Sequence, residues 1–293
     1  MYFNEETIIF LDGKYVKASE AGVNLYNQTM HYGNGVFEGI RSYDTAEGTK
    51  IFKPKEHYDR LHYSAEKMHI KLNYTWQELE EITYEVLKRN NLKDAYIRPL
   101  VYLGANMALQ PTEEVHVVIM AWEWGKFLGD KLLRLGISSY QRPNPKACHV
   151  EAKVVGHYIN SILATTEAKQ NGYDEALLTD MHGNIAEGPG ANFFLEKDGK
   201  LFTAPLGNIL AGITRATVID LAKKLGIEIE EKFFTPEEIK TADAAFYCGT
   251  AAEVAGIESV DDYVFPKAWK DTKGAIIQKN YMNLVLNKEL ELV

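Results

Sequence analysis

The apolar residues of this chain recur with two different periods, and the changes of period divide it into elements. Two short runs, Ile8–Leu11 and Lys14–Val16, flank Asp12-Gly13, a dipeptide suited to a hairpin turn. Pro54 suits the first turn of a helix, and over 57–68 the residues Leu61, Ala65 and Met68 share one stripe. Thr75-Trp76-Gln77-Glu78 has the spacing of a capping box, opening a helix whose apolar face is Trp76, Leu79, Ile82 and Val86. Ala95–Leu103 and Val115–Trp122 read as strands, the second apolar enough for burial on both faces. Pro99 inside the first predicts an edge or a break in the ladder.

Residues 123–136 hold Gly125, Gly129 and two charged clusters, and are the expected connection between a domain of 1–122 and one of 137–293. Beyond them a strand is predicted near Leu135–Tyr140. A helix follows over Gly156–Lys169, with Ile159, Ile162 and Leu163 among its apolar residues. Residues 174–203 resemble an antiparallel meander, with turn signals at His182-Gly183-Asn184 and Asp198-Gly199. Thr214–Leu225 predicts a helix closed by Gly226, Thr235-Pro236-Glu237-Glu238 opens another, and 274–290 reads as the last. Strands and helices do not alternate strictly, which predicts two α+β domains rather than a doubly wound sheet.

The length of 293 residues agrees with two domains. A net charge of −9 argues against a nucleic-acid or anionic-membrane partner, while leaving room for a small basic pocket. The two cysteines, Cys148 and Cys248, form no CxxC and no cluster with histidine, so no metal site is expected and a reducing compartment is. The opening MYFNEETIIF lacks a basic stretch before an apolar one, and no apolar run has the length of a membrane span. The expected localisation is cytoplasmic.

Several segments carry candidate chemistry. Lys153 stands in Glu151-Ala152-Lys153-Val154-Val155-Gly156, just before a helix. A lysine is ordinarily a solvated charge, but these small and apolar flanks predict partial burial, the setting of Schiff-base lysines. Glu187, in Asn184-Ile185-Ala186-Glu187-Gly188-Pro189-Gly190, is either a turn carboxylate facing water or one facing a buried cation such as a protonated pyridine nitrogen. Ala211-Gly212-Ile213-Thr214-Arg215 opens a helix, with Thr214 as a favourable cap. It reads as an anion-binding terminus or as ordinary capping. Cys248-Gly249-Thr250-Ala251-Ala252 offers a second set of backbone donors, or simply a tight strand-to-helix turn.

Near the start, His31-Tyr32-Gly33-Asn34-Gly35-Val36-Phe37-Glu38-Gly39-Ile40-Arg41 packs three glycines among aromatics. Their spacing is wrong for a dinucleotide loop and no βαβ unit surrounds them. In Ala95-Tyr96-Ile97-Arg98-Pro99-Leu100, strand alternation puts Tyr96 and Arg98 on one face, a carboxylate clamp or a surface pair. His157, in the next helix, reads as a packing or surface residue.

The order of these segments resembles the branched-chain amino acid aminotransferases, within the class IV group of pyridoxal-phosphate enzymes, from about Ile8 to Val260. The resemblance implies a small N-terminal α/β domain and a larger pseudo-barrel domain with the cofactor between them. It implies that Lys153 carries pyridoxal 5'-phosphate covalently and that Glu187 pairs with the pyridine nitrogen. Arg60, Ile213, Thr214 and Thr250 would hold the phosphate, and Tyr158 would touch the ring side. Tyr96 with Thr250 and Ala251 would take the substrate α-carboxylate. Phe37 and Tyr32, the latter from a neighbouring subunit, would shape the side-chain pocket, with Gly39, Arg41, Arg98 and Phe127 also substrate-facing. A homodimer or larger homo-oligomer is implied, and the reaction is transamination between leucine, isoleucine or valine and 2-oxoglutarate.

The chain departs from that pattern at Phe127, where relatives carry a tyrosine, at Ala255-Gly256, where Thr-Pro is usual, and at His157, often asparagine. These bear on substrate preference. A D-amino acid or (R)-amine transaminase of the same fold is the nearest alternative, and Tyr96-Ile97-Arg98-Pro99-Leu100 favours the branched-chain reading. An aminodeoxychorismate lyase would lack that run. A non-catalytic protein of this fold would have no reason to keep both Lys153 and Glu187.

Overall fold

Asp12 and Gly13 both take positive φ, 46° and 84°, and turn β1 (Ile8–Leu11) back into β2 (Lys14–Lys17). The computed structural model describes residues 2–125, 128–129 and 131–291, so Phe127 lies outside the described residues. The chain divides into two compact units, Met1–Gly125 with Ala152–His157, and Lys126–Glu151 with Tyr158–Val293. This division differs from the sequence boundaries in one respect that bears on function. The short stretch around Lys153 packs with the first unit, although most of the chain on either side belongs to the second.

In the first unit, α1 (Gln28–Tyr32) is capped by the Asn27 side chain and ends at Gly33 in the left-handed region, φ 71°. β3 (Gly35–Phe37), β4 (Ile40–Thr45) and β5 (Gly48–Ile51) follow. α2 (Pro54–Lys67) has proline in its first turn, and α3 (Trp76–Arg89) opens with the Thr75–Glu78 capping box in full. β6 (Ala95–Leu103) and β7 (Val115–Trp122) complete an antiparallel sheet of order β2-β1-β7-β6-β4-β5, with β3 also on β6. Pro99 falls where β6 passes from pairing with β4 to pairing with β3. Its carbonyl accepts from Glu38 N–H at 2.9 Å, so it marks a break in the ladder rather than an edge.

Leu61, Leu79 and Val86 of the helices bury themselves against Phe10, Ile97, Val101 and Ile119 on one face of this sheet. Each such side chain contributes roughly 1.5–3 kcal/mol of transfer free energy. The alternate residues Ile9, Tyr102 and Val118 point to the opposite face, which holds a groove of about 890 Å³.

The second unit contains β8 (Leu133–Gln141), α4 (Tyr158–Gln170), β9 (Glu175–Thr179), β10 (Asn192–Lys197) and β11 (Lys200–Thr203). Then come α5 (Ile213–Lys224), β12 (Ile229–Glu231), α6 (Pro236–Ile239), β13 (Ala244–Gly249), β14 (Glu253–Val260), β15 (Tyr263–Val264) and α7 (Lys273–Val285). Its sheet has the order β12-β11-β10-β13-β14-β8-β9, with β15 on β14. The expected meander over 174–203 is only partly present: β10 and β11 form a hairpin, but β9 runs parallel to β8 at the sheet edge.

α4 buries its small residues Ser161, Ala164 and Ala168 and leaves Ile159, Ile162 and Leu163 exposed. The two sheets with their helices form the α+β fold expected from the sequence. Among the described residues no helix is long and apolar enough to cross a membrane.

Candidate active site

The segment bearing Lys153 is fixed through its backbone. Lys153 N–H donates to Ser64 Oγ at 2.9 Å, and its carbonyl accepts from Phe37 N–H at 3.1 Å. Val154 bridges to Val36, and Gly156 N–H donates to Gly33 O at 3.0 Å. The two glycine backbones meet so closely that a Cβ on Gly33 would lie 2.7 Å from Gly156 Cα. The Lys153 side chain is half-buried, with Nζ 4.9 Å from the Phe37 ring centre. The partial burial expected of it is present.

The first unit also holds Tyr32, Phe37, Gly39, Arg41, Arg60, Tyr96 and Arg98, half of the other residues expected to bind. Arg98 Nη2 donates to Tyr96 Oη at 3.2 Å, so strand alternation does place them together, and its guanidinium lies 4.6 Å from the Phe37 ring centre. Arg98 Nε is buried without a hydrogen-bond partner among the described residues. Gly39 is required by Tyr96, whose hydroxyl oxygen would be 2.0 Å from a Cβ there. Arg41 Nη2 donates to Trp124 O at 2.7 Å. Tyr32 is exposed, and its hydroxyl donates to Met107 O.

Arg60 is held by a residue that sequence reasoning quoted without assigning a role. Glu38 is fully buried and accepts from Arg60 Nε at 2.6 Å, Arg60 Nη2 at 2.9 Å and His57 Nδ1 at 2.7 Å. Burial alone would push the Glu38 carboxyl up, but the Arg60 guanidinium and His57 together hold it well below the usual carboxylate range. Burial pushes His57 below its usual value despite Glu38, so the imidazole is neutral and donates through Nδ1.

Both shifts have the same sign for stability. The unfolded chain takes up protons on His57 below pH 6.5, and on Glu38 below about 4.5, before the folded protein does. Stability is therefore full near neutrality and falls with acidification. His57→Asn keeps a donor toward Glu38 but removes the titration, so its melting temperature should fall less steeply than wild type between pH 6.5 and 5. Equal slopes would show that His57 titrates alike in both states.

In the second unit Glu187 is buried and held on both oxygens. Oε1 accepts from Leu210 N–H at 3.0 Å and Oε2 from Asn192 Nδ2 at 3.0 Å, and Arg142 Nε lies 2.9 Å from Oε1. Of its two sequence readings, the turn carboxylate in water is therefore excluded. Asn192 Nδ2 also donates to Leu210 O at 3.1 Å, and its Oδ1 presses on Gly212, where a Cβ would be 1.9 Å away. Asn192 thus ties the Glu187 carboxylate to the start of α5. Gly212, not Thr214, caps that helix; Thr214 lies within the first turn and is buried. The first amide N–H groups of an α-helix have no partner within it and carry the positive dipole end, which suits an anion.

Thr250 and Ala251 sit in the turn joining β13 to β14, so this is a strand-to-strand turn, not a strand-to-helix one. Tyr158 is the first residue of α4. The free thiol of Cys248 is buried and pushed far above its usual pKa, which makes it inert. Among the described residues no cluster of metal-ligating side chains occurs.

Sequence reasoning missed Arg142, Asn192, Glu38 and His57. Asn192 had a detectable signal, five residues after Glu187 among small neighbours. Arg142, before Pro143 in a polar loop, had none.

Comparison with known proteins places this arrangement in a class. Residues 35–260 match the family profile described as amino-transferase class IV, and the chain belongs to that family. The branched-chain-amino-acid aminotransferase of Pseudomonas aeruginosa is 41% identical over 291 residues, covering 97% of this chain and 95% of that one. The branched-chain aminotransferase of Thermoproteus uzoniensis, solved with norvaline, superposes with a TM-score of 0.93 at 38% identity, covering 97% of this chain and 96% of the other. The branched-chain amino acid aminotransferase of Thermobaculum terrenum, solved in its PLP form, gives 0.91 at 32% identity, with coverage of 97% and 95%. Within class IV, the chain stands among the branched-chain-amino-acid aminotransferases.

Proposed function

We propose that this enzyme carries pyridoxal phosphate on Lys153 and exchanges amino groups between branched-chain L-amino acids and 2-oxoglutarate. The observation that carries the reading is the tie through Asn192 between a buried carboxylate and the N-terminus of α5. A ligand satisfying both ends has an anion at one and a protonated nitrogen at the other, and pyridoxal phosphate has both. Ile213 and Thr214 would bind the phosphate through their amides, with Arg60 and Thr250 adding donors and Tyr158 the ring-side contact. Glu187 would hold the pyridine nitrogen protonated.

The bound cofactor supplies an electron sink for the pair left when the substrate's α-proton departs. Lys153, freed as a neutral amine, takes that proton and returns it, first as base and then as acid. Tyr96, with the Thr250 and Ala251 amides, would orient the α-carboxylate. The test is the absorbance of the purified protein with pyridoxal phosphate, followed by transamination of L-leucine against D-alanine with 2-oxoglutarate. Preference for D-alanine would favour the D-amino acid alternative.

Two substrates must share one pocket in successive half-reactions. Phe37 suits leucine, but an apolar wall alone would desolvate the glutamate side-chain carboxylate without a partner. Arg98, with its buried Nε and Tyr96 beside it, is the partner proposed. Its guanidinium lies 4.6 Å from the Phe37 ring centre, where it would rest when leucine is the substrate. Arg98→Met should weaken 2-oxoglutarate and glutamate by about 2–5 kcal/mol, and leucine far less. Equal losses in the two single-turnover half-reactions would reduce Arg98 to a brace of β6. Gly39, Arg41 and Phe127 would complete the substrate side.

A homodimer is part of the proposal, with Tyr32 contributed by the neighbouring subunit. Its support is the apolar groove of the first unit, lined by Leu11, Leu100 and Met120 and by the exposed Val23 and Met30. The reading places the enzyme in the cytoplasm.

A further inference from the structure

No step of the reaction uses Glu38 or His57, although both are buried and ionisable. We propose that Glu38 is a positioning residue for the cofactor's phosphate: anchored between β3 and β4, it holds the Arg60 guanidinium in the orientation in which Arg60 receives that phosphate. The inference rests on the cofactor reading above. Glu38 acts through Arg60 and does not itself touch the cofactor.

The carboxylate has anchors other than Arg60. Glu38 N–H donates to Pro99 O at 2.9 Å, and Oε2 accepts from Gly39 N–H at 3.1 Å and from His57 Nδ1 at 2.7 Å. Burial pushes the Glu38 carboxyl up, but Arg60 and His57 more than reverse this, so an anion faces Arg60 near neutral pH. Against that anion Arg60 makes a fork, Nε to Oε1 at 2.6 Å and Nη2 to Oε2 at 2.9 Å. Two parallel bonds set the plane of a guanidinium as well as its place.

His57 and Arg60 lie one turn apart on α2, so both reach Glu38 from one face of the helix. Glu38 and His57 are sealed in, 0% and 2% exposed, whereas Arg60 keeps 11%. A long side chain that must be ordered on binding costs affinity, and one ordered beforehand does not. Glu38 also offsets the Arg60 charge, which weakens the pull on a distant anion. What the pairing adds for a phosphate is direction, not charge.

The competing role is a structural brace between α2 and the β3–β4 connection. Binding of pyridoxal phosphate and of pyridoxal to cofactor-free protein separates the two, because pyridoxal keeps the aldehyde and ring and lacks only the phosphate. Glu38→Asp keeps the charge but withdraws the carboxylate by one methylene. It should weaken pyridoxal phosphate about tenfold, and pyridoxal less than about twofold. On an Arg60→Gln background, Glu38→Asp should change the ratio of the two affinities by less than about twofold. Equal losses for both ligands mark a brace and overturn the proposal. An undiminished ratio in Glu38→Asp, or a second fall on the Arg60→Gln background, overturns it as well. If Glu38→Asp does not accumulate, Glu38→Gln keeps the length but offers one oxygen, so the ratio should fall about threefold. A ratio at or above wild type there would mean that the uncancelled Arg60 charge outweighs its orientation, and the proposal fails.

Wild type tests the cofactor reading separately. No new absorbance band with pyridoxal phosphate, and no preference for it over pyridoxal, would sink the cofactor assignment. A wild-type preference that survives Glu38→Asp sinks the positioning role alone.

Discussion

Lys153→Ala is expected to fold normally and to lose turnover by about four orders of magnitude. The fold survives because the contacts that fix this residue are made by its backbone. The N–H reaches Ser64 Oγ, and the carbonyl is reached by Phe37 N–H; alanine keeps both. What disappears is the amine that accepts and returns the α-proton. Pyridoxal phosphate should still bind weakly through the phosphate donors. Borohydride should label Lys153 in the wild-type protein and no lysine in the variant. A label on a different lysine, or single-turnover rates near wild type, would remove Lys153 from the reaction.

Glu187→Gln comes second, with an expected loss of about two to three orders of magnitude in the chemical step. A carboxylate meets Leu210 N–H with one oxygen and Asn192 Nδ2 with the other. The amide has one oxygen only, so one donor loses its acceptor, and the charge that keeps a pyridine nitrogen protonated is gone. The variant should retain cofactor absorbance while melting at a lower temperature, so turnover must be read per folded, loaded protomer. Turnover near wild type would make Glu187 a structural residue.

The parts of this fold that were legible in the sequence are those decided locally. The Asp12-Gly13 hairpin, the Thr75–Glu78 capping box and the limits of β6 and β7 all rest on residues within a few positions of each other. Where a distant partner decides, the reading stopped short. Ile159, Ile162 and Leu163 are apolar, but α4 turns Ser161, Ala164 and Ala168 inward, because only small side chains fit against β8 and β9 there. Thr214 has the composition of a cap, yet the cap is Gly212, where the distant Asn192 side chain leaves no room for a Cβ. In the candidate site, the neighbours of Lys153 predicted its partial burial, while those of Glu187 left open the buried setting that the structure gives it. The ion pairs of Glu38 with Arg60 and of Glu187 with Arg142 join residues 22 and 45 positions apart, and nothing local announces them.

The return of Ala152–His157 to the first unit sets a condition on the order of events during synthesis. A chain that has grown only to Gly125 holds every strand of the first sheet, but Ser64 Oγ, Phe37 N–H and Gly33 O still await their partners. The nascent first unit therefore leaves the ribosome unfinished and closes only once Gly156 has emerged and reached Gly33. By then β8 is already made, so the two units mature as overlapping rather than successive events.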